Sequence, residues 1–150
     1  MTVKEAFLQR AIDLAMQARQ HGNHPFGALL VIDEQIALTA ENTVMSDNNP
    51  TSHAETNLIQ KAIAMLPKEV IAGAELYTSC EPCAMCTGAT YWAGVRRIVF
   101  ALSSEELAKV AGGNGLAACR EVLKGAEKEM EVEGPFMLEE ALKVHEGYWS

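Results

Sequence analysis

The sequence predicts an α/β protein, a three-layer α/β/α sandwich around a five-stranded mixed sheet. Two observations carry this expectation. Stretches with the 3.6-residue apolar period of helices alternate with short, continuously apolar runs. Turn-forming residues stand between them. Helices interleaved with short strands cover both faces of one sheet. With 150 residues, one domain spanning 1–150 is expected. A domain of that size buries roughly 70% of the surface its unfolded chain exposes.

The elements follow in order. Val3 to Gln20 sets Phe7, Leu8, Ala11, Ile12, Leu14, Ala15 and Ala18 on one stripe, as an amphipathic helix does. Gly22 and Pro25 end it. Phe26 to Ile32 reads as a buried strand, Asp33-Glu34-Gln35 as a polar break, and Ile36 to Asn42 as the second strand of a hairpin. Asp47-Asn48-Asn49-Pro50 is turn chemistry. It leads to Thr51 or Ser52 as N-cap of a helix from His53 to about Met65. Ala74 to Ser79 is the third strand. Pro82 favours the start of a helix, which runs to Ala93 before Gly94 ends it. Arg97 to Leu102 is the fourth strand. Ser103-Ser104-Glu105-Glu106 opens a capped helix, interrupted by Gly112-Gly113-Asn114-Gly115. Leu116 to Lys124 is expected to be helical, Glu129 to Glu133 a fifth strand and Met137 to Tyr148 a last helix.

Composition narrows the partners. No apolar run approaches the ~20 residues of a membrane span. Met1 to Arg10 lacks the basic-then-apolar pattern of a secretory signal. A cytoplasmic setting is therefore expected, and the four cysteines read there as metal or catalytic groups rather than disulfides. Net charge is −8, which repels a polyanion unless a basic patch meets it. The only tight basic cluster is Arg96-Arg97. A small molecule is the expected partner, not a nucleic acid or a membrane.

Two segments carry chemistry: His53-Ala54-Glu55 and Pro82-Cys83-Ala84-Met85-Cys86. Each opens a predicted helix. Cys83 and Cys86 are three apart, so their thiols share a helix face. The helix N-terminus favours thiolates. His53 begins the other helix, where a ring nitrogen can face the same point. One imidazole and two thiolates suit Zn²⁺ and leave a fourth tetrahedral position open. Zinc lowers the pKa of a water held there to about 7. Glu55, two residues from His53, can sit beside that water without ligating the metal and move its proton. The alternative is a closed structural site with Cys80 as fourth ligand, or Cys119 from a later helix. Pro82 sets Cys80 ahead of the helix at the strand end, and neither alternative gives Glu55 a role.

These residues match the H-x-E…P-C-x-x-C arrangement of zinc deaminases. The sequence resembles the cytidine deaminase superfamily, in the branch of guanine deaminases, fungal-type cytosine deaminases and bacterial tRNA adenosine deaminases. The resemblance runs from Val3 to Leu102. It rests on His24-Pro25-Phe26-Gly27-Ala28, Glu41-Asn42, Asn49 to Glu55, Leu76 to Cys86, and Gly88-Ala89 to Gly94. Thr78 to Cys83 and Tyr91-Trp92-Ala93 look most like guanine deaminases. The resemblance implies one zinc per subunit on His53, Cys83 and Cys86, with Glu55 as proton shuttle. Asn42, Phe26, Trp92 and the backbone N–H groups of Ala54 and Cys83 would contact substrate, with Phe26 stacking on the ring. Guanine deaminases of this branch place an acidic residue in the loop after the fourth strand. Here Asn114 stands in that stretch, and Glu105, Glu106 or a residue of the C-terminal helix is a substitute. His145, Tyr148 and Trp149 could close over the site, in this subunit or the next. The branch forms dimers, for which the apolar helix Ala84 to Ala93 is a candidate interface.

Three functions compete at this point. The first is hydrolytic deamination of a free base or nucleoside-like heterocycle, guanine-type favoured, with release of ammonia. The second is tRNA adenosine deamination, which needs several phosphate contacts and a pocket for a flipped base. The third is a zinc-stabilised binding module, for which Glu55 is dispensable.

Overall fold

The computed structural model describes residues 1–113 and 115–149. Asn114, a candidate substrate contact, lies outside the described residues. Five strands form one sheet: β1 (Gly27–Ile32), β2 (Gln35–Glu41), β3 (Glu75–Cys80), β4 (Arg97–Leu102) and β5 (Glu131–Glu133). Their order is β2-β1-β3-β4-β5. β1 runs antiparallel to β2 and β3, while β3–β4 and β4–β5 are parallel, so the sheet is mixed as expected.

Strands buried on both faces read as unbroken apolar runs, and β1 and β4 do so. From β1, Leu29 and Val31 face α1 (Val3–Gln20), where Leu8, Ala11, Ile12 and Ala15 meet them. Ala28 and Leu30 face the opposite layer, packed under Leu58, Ile59 and Ala62 of α3 (Ala54–Met65). α5 (Ala84–Ala93) lies beside α3, and α8 (Leu138–Lys143) beside α1. The three-layer architecture is the one the alternation predicts. Among the described residues no helix is long and apolar enough to cross a membrane.

Several elements differ from expectation. α2 (Val44–Asp47) and α4 (Lys68–Ile71) occupy stretches with no helical periodicity; four residues are too few to show one. The helix expected from Leu116 to Lys124 is only α7 (Cys119–Val122) with a 3-10 turn after it. Leu116 is 82% exposed and anchors no stripe. α6 (Ser104–Ala111) opens as predicted, with the Ser103 hydroxyl accepting the Glu106 N–H. The last helix stops at Lys143, and Gly147 turns the chain at φ +71°. The Arg19 guanidinium holds that return, donating to the Val144 carbonyl at 2.9 Å and lying over the Tyr148 ring.

The register gathers one edge of the sheet. Gly27 at the start of β1 pairs with Glu41 at the end of β2, and Ala28 with Thr78 near the end of β3. The residues just beyond, Phe26, Asn42 and Cys80, therefore converge. Gly27 also marks the closest approach of α1: a Cβ there would lie 2.4 Å from the Ala11 carbonyl oxygen and 2.6 Å from the Ala15 nitrogen. Backbone cannot move aside cheaply, so Gly27→Ala is expected to cost about 3 kcal/mol of stability. Thermal unfolding reads the effect as a fall of roughly 6–12 °C in Tm; an unchanged Tm would contradict this packing.

Candidate active site

The converging edge holds the two chemistry-bearing segments. His53 is the N-cap of α3 and Cys83 the N-cap of α5, and neither side chain makes a capping bond. The cap expected at Thr51 or Ser52 is thus one or two residues later. Ser52 is buried, and its carbonyl instead accepts the Thr43 N–H. Each missing cap forgoes about 1 kcal/mol. The side chains turn towards each other instead. The Nδ1 of His53 lies 3.5 Å from the Cys83 sulfur and 3.5 Å from the Cys86 sulfur, and all three donor atoms fall within 4.8 Å of one another.

That geometry fits zinc. Bonds of roughly 2.3 Å to sulfur and 2.0 Å to nitrogen in a tetrahedron set those ligands roughly 3.5 Å apart. The proton balance agrees. The hydrogen bond from Cys86, then His53, holds the Cys83 thiol down to about 4 against its burial, while the same bond pushes Cys86 up. The Cys83 sulfur in turn raises His53. A divalent cation relieves such competition by replacing the shared protons. The Thr56 hydroxyl, 3.0 Å from the Cys86 sulfur, donates to it once that sulfur is ionised, orienting the ligand. Among the described residues no other such cluster is present. Cys80 is buried beside the cavity and outside this trio, and burial keeps its thiol protonated. Cys119 packs in the core under α5.

A cavity of about 140 Å³ opens beside the trio, walled by Phe26, Asn42, His53, Glu55, Cys80, Glu81, Cys83 and Leu107. Glu55 is 6% exposed, and burial pushes its carboxyl up to about 7. It can therefore hold or release a proton near neutrality. Asn42 is buried. Its Oδ1 accepts the Val44 N–H at 3.0 Å, opening α2. That leaves the Nδ2 protons without a protein partner among the described residues and available to a ligand's acceptor. Asn23 anchors the same helix, its Oδ1 accepting the Met45 and Ser46 N–H groups. Ala54 is the first residue of α3, where the N–H has no partner within the helix.

Phe26 serves both the cavity and the core. It walls the cavity and packs into the core, backed edge-on by His145 at 5.5 Å. Trp149 stacks on His24 at 5.7 Å, and the His24 Nδ1 bonds the Tyr148 hydroxyl at 2.6 Å. The tail thus packs behind Phe26 within the same chain. Trp92 does not reach the cavity. It is 83% exposed, nine residues beyond Cys83 and so roughly 13 Å further along α5. Glu105 and Glu106 line a neighbouring groove of about 620 Å³ rather than the cavity. The acidic residue that walls both is Glu81, missed at the sequence level although it adjoins Pro82-Cys83. Leu107 was missed too, its helix having no sequence link to the metal motif.

Residues 1–102 match the family described as the cytidine and deoxycytidylate deaminase zinc-binding region. The chain belongs to that family. It is a zinc-dependent deaminase of the cytidine deaminase superfamily, and His53, Cys83 and Cys86 form its candidate zinc site. The match covers the stretch over which the sequence motifs lie. Among curated relatives of this deaminase, a probable cytosine deaminase of Schizosaccharomyces pombe is 37% identical over 151 residues, covering 96% of this chain and 91% of its own. A guanine deaminase of Bacillus subtilis is 40% identical over 125 residues, covering 83% and 80%. A solved structure from work on tRNA:A34 deaminases superposes with a TM-score of 0.74 at 25% identity, over 93% of this chain and 99% of that one.

Proposed function

We propose that this deaminase acts on a free nucleobase, guanine-type favoured, replacing an exocyclic amino group by oxygen and releasing ammonia. The observation that carries the reading is the cavity of about 140 Å³ that Glu55, Asn42 and Phe26 line together with the metal donors His53 and Cys83. A space of that size takes one flat ring system, and any sugar or phosphate would have to lie outside it. Charge supports the same choice. Net charge is −8, and the Arg96-Arg97 cluster is already engaged. Arg97 pairs with Glu75, Glu131 and Glu133, and Arg96 donates to the Tyr91 carbonyl and covers its ring. Little basic surface is left there for a phosphate backbone.

In this reading His53, Cys83 and Cys86 hold the zinc. The metal, when bound, supplies Lewis-acid activation of a water near neutral pH. Glu55 takes a proton on its carboxylate from the attacking water and delivers protons to a ring nitrogen and the departing amine. The Asn42 amide donates from Nδ2 to a ring acceptor, the Ala54 and Cys83 N–H groups contact the substrate, and Phe26 stacks on its face. One domain over 1–150 contains all of this. The exposed Trp92 on an uncharged α5 supports pairing with a second copy. Four free thiols fit a reducing cytoplasm.

Favouring guanine are the Thr78 to Cys83 and Tyr91 to Ala93 stretches and the 40% identity to the Bacillus enzyme. A cytosine reading stands second, because the similarity to the fission-yeast protein extends over 96% of the chain. An ammonia-release screen over guanine, cytosine, adenine, their nucleosides, aminopurines, pterins and triazines separates them. Guanine is expected to turn over fastest, and each base faster than its nucleoside. Release confined to nucleosides or tRNA would overturn the proposal.

A further inference from the structure

Glu81 walls the cavity without belonging to the proposed catalytic set, and both of its carboxylate oxygens are engaged. Oε1 accepts the Ser104 N–H at 3.1 Å and the Ser104 hydroxyl at 3.2 Å, while Oε2 accepts the Cys119 N–H at 2.9 Å. Its own N–H donates to the Leu102 carbonyl at 2.7 Å. One side chain thus ties the first residue of α6 and the first residue of α7 to the strand end that precedes the metal motif. Leu107, three residues on from Ser104 and so on the same helical side, is the part of α6 that lines the cavity. The donors for zinc sit on α3 and α5, which Glu81 does not bond.

We propose that Glu81 is a positioning residue for substrate: it fastens α6 and α7 so that Leu107 is held in the wall of the cavity. The inference rests on the deaminase reading, and one substitution probes it. In Glu81→Gln the amide keeps one acceptor and gains an NH₂, so either Ser104 or Cys119 meets a donor with its own N–H. In either orientation one backbone N–H, of Ser104 or of Cys119, loses its acceptor, and the segment it heads is held less tightly. The metal and Glu55 are untouched, so ground-state binding suffers and the chemical step does not.

The test measures kcat, KM, zinc content and backbone amide exchange on the purified full chain. Glu81→Gln is expected to keep one zinc per chain and kcat within about threefold, to raise KM about tenfold, and to speed exchange in 103–107 or 119–122. Leu107→Ala is expected to raise KM similarly without speeding exchange at 119–122. Faster exchange with unchanged KM, loss of zinc, or unchanged exchange each overturns the proposal. If Glu81→Gln does not fold, Ser104→Ala removes only the hydroxyl bond and is expected to raise KM about threefold; an unchanged KM then overturns it. Wild-type chain that releases ammonia from no heterocycle sinks the deaminase reading instead, and unchanged exchange in Glu81→Gln still overturns the fastening by itself.

Discussion

Glu55→Gln is expected to keep its full complement of zinc while ammonia release falls by about 10²–10⁴-fold, the usual contribution of a placed proton carrier. The two side chains have nearly the same shape, so the cavity is preserved. What changes is proton capacity. The Glu55 carboxyl, pushed up to about 7 by burial, exchanges a proton close to neutral pH; an amide cannot. The metal is unaffected because the donor trio is His53, Cys83 and Cys86. Turnover and metal content measured on the same sample check this. A variant releasing ammonia at the wild-type rate would remove Glu55 from the mechanism, and one that lost zinc would make it a ligand.

Cys83→Ala should lose both metal and activity, since two remaining donors hold zinc poorly. The fold should survive. The apolar clusters on the two faces of the sheet, around Leu29 and Val31 on one side and Leu30 and Ile98 on the other, are buried without help from the metal. Circular dichroism near that of wild type, with metal near zero after dialysis, is the expected pair of results. Cys80→Ala is the informative control and should retain one zinc per chain. Stoichiometric metal in the Cys83 variant, or its loss in the Cys80 variant, would mean that the donor set is misassigned.

The long elements were legible because burial writes itself into the sequence. The stripe from Phe7 to Ala18 and the runs Phe26 to Ile32 and Arg97 to Leu102 each match one observed element. The metal motif was legible because its spacing is set by covalent geometry at two helix starts. The misreadings have physical reasons. Thr51 and Ser52 are better caps than His53 by local preference, but a histidine committed to a neighbouring thiol pair overrides that preference, as functional sites often do. Trp92 belongs to a motif-rich helix, and proximity in sequence is not proximity in space thirteen ångströms along an axis. Glu81 and Leu107 come together only through hydrogen bonds between segments, which no periodicity records.

The cavity draws its walls from several separate stretches of chain: Phe26 and Asn42 at the ends of the hairpin, the two metal-bearing segments, and Leu107 of α6. Metal donors and proton carrier lie between residues 53 and 86, on helices that pack on the sheet; Leu107 belongs to α6, whose first residue is tied by hydrogen bonds to Glu81. Hydrolysis and selectivity are therefore free to evolve at different speeds. A mutational library centred on Leu107 and its neighbours in α6 can reshape one wall that an incoming ring meets while the metal donors and proton carrier stay as they are, which makes that helix a natural ground for retraining the enzyme on new heterocycles.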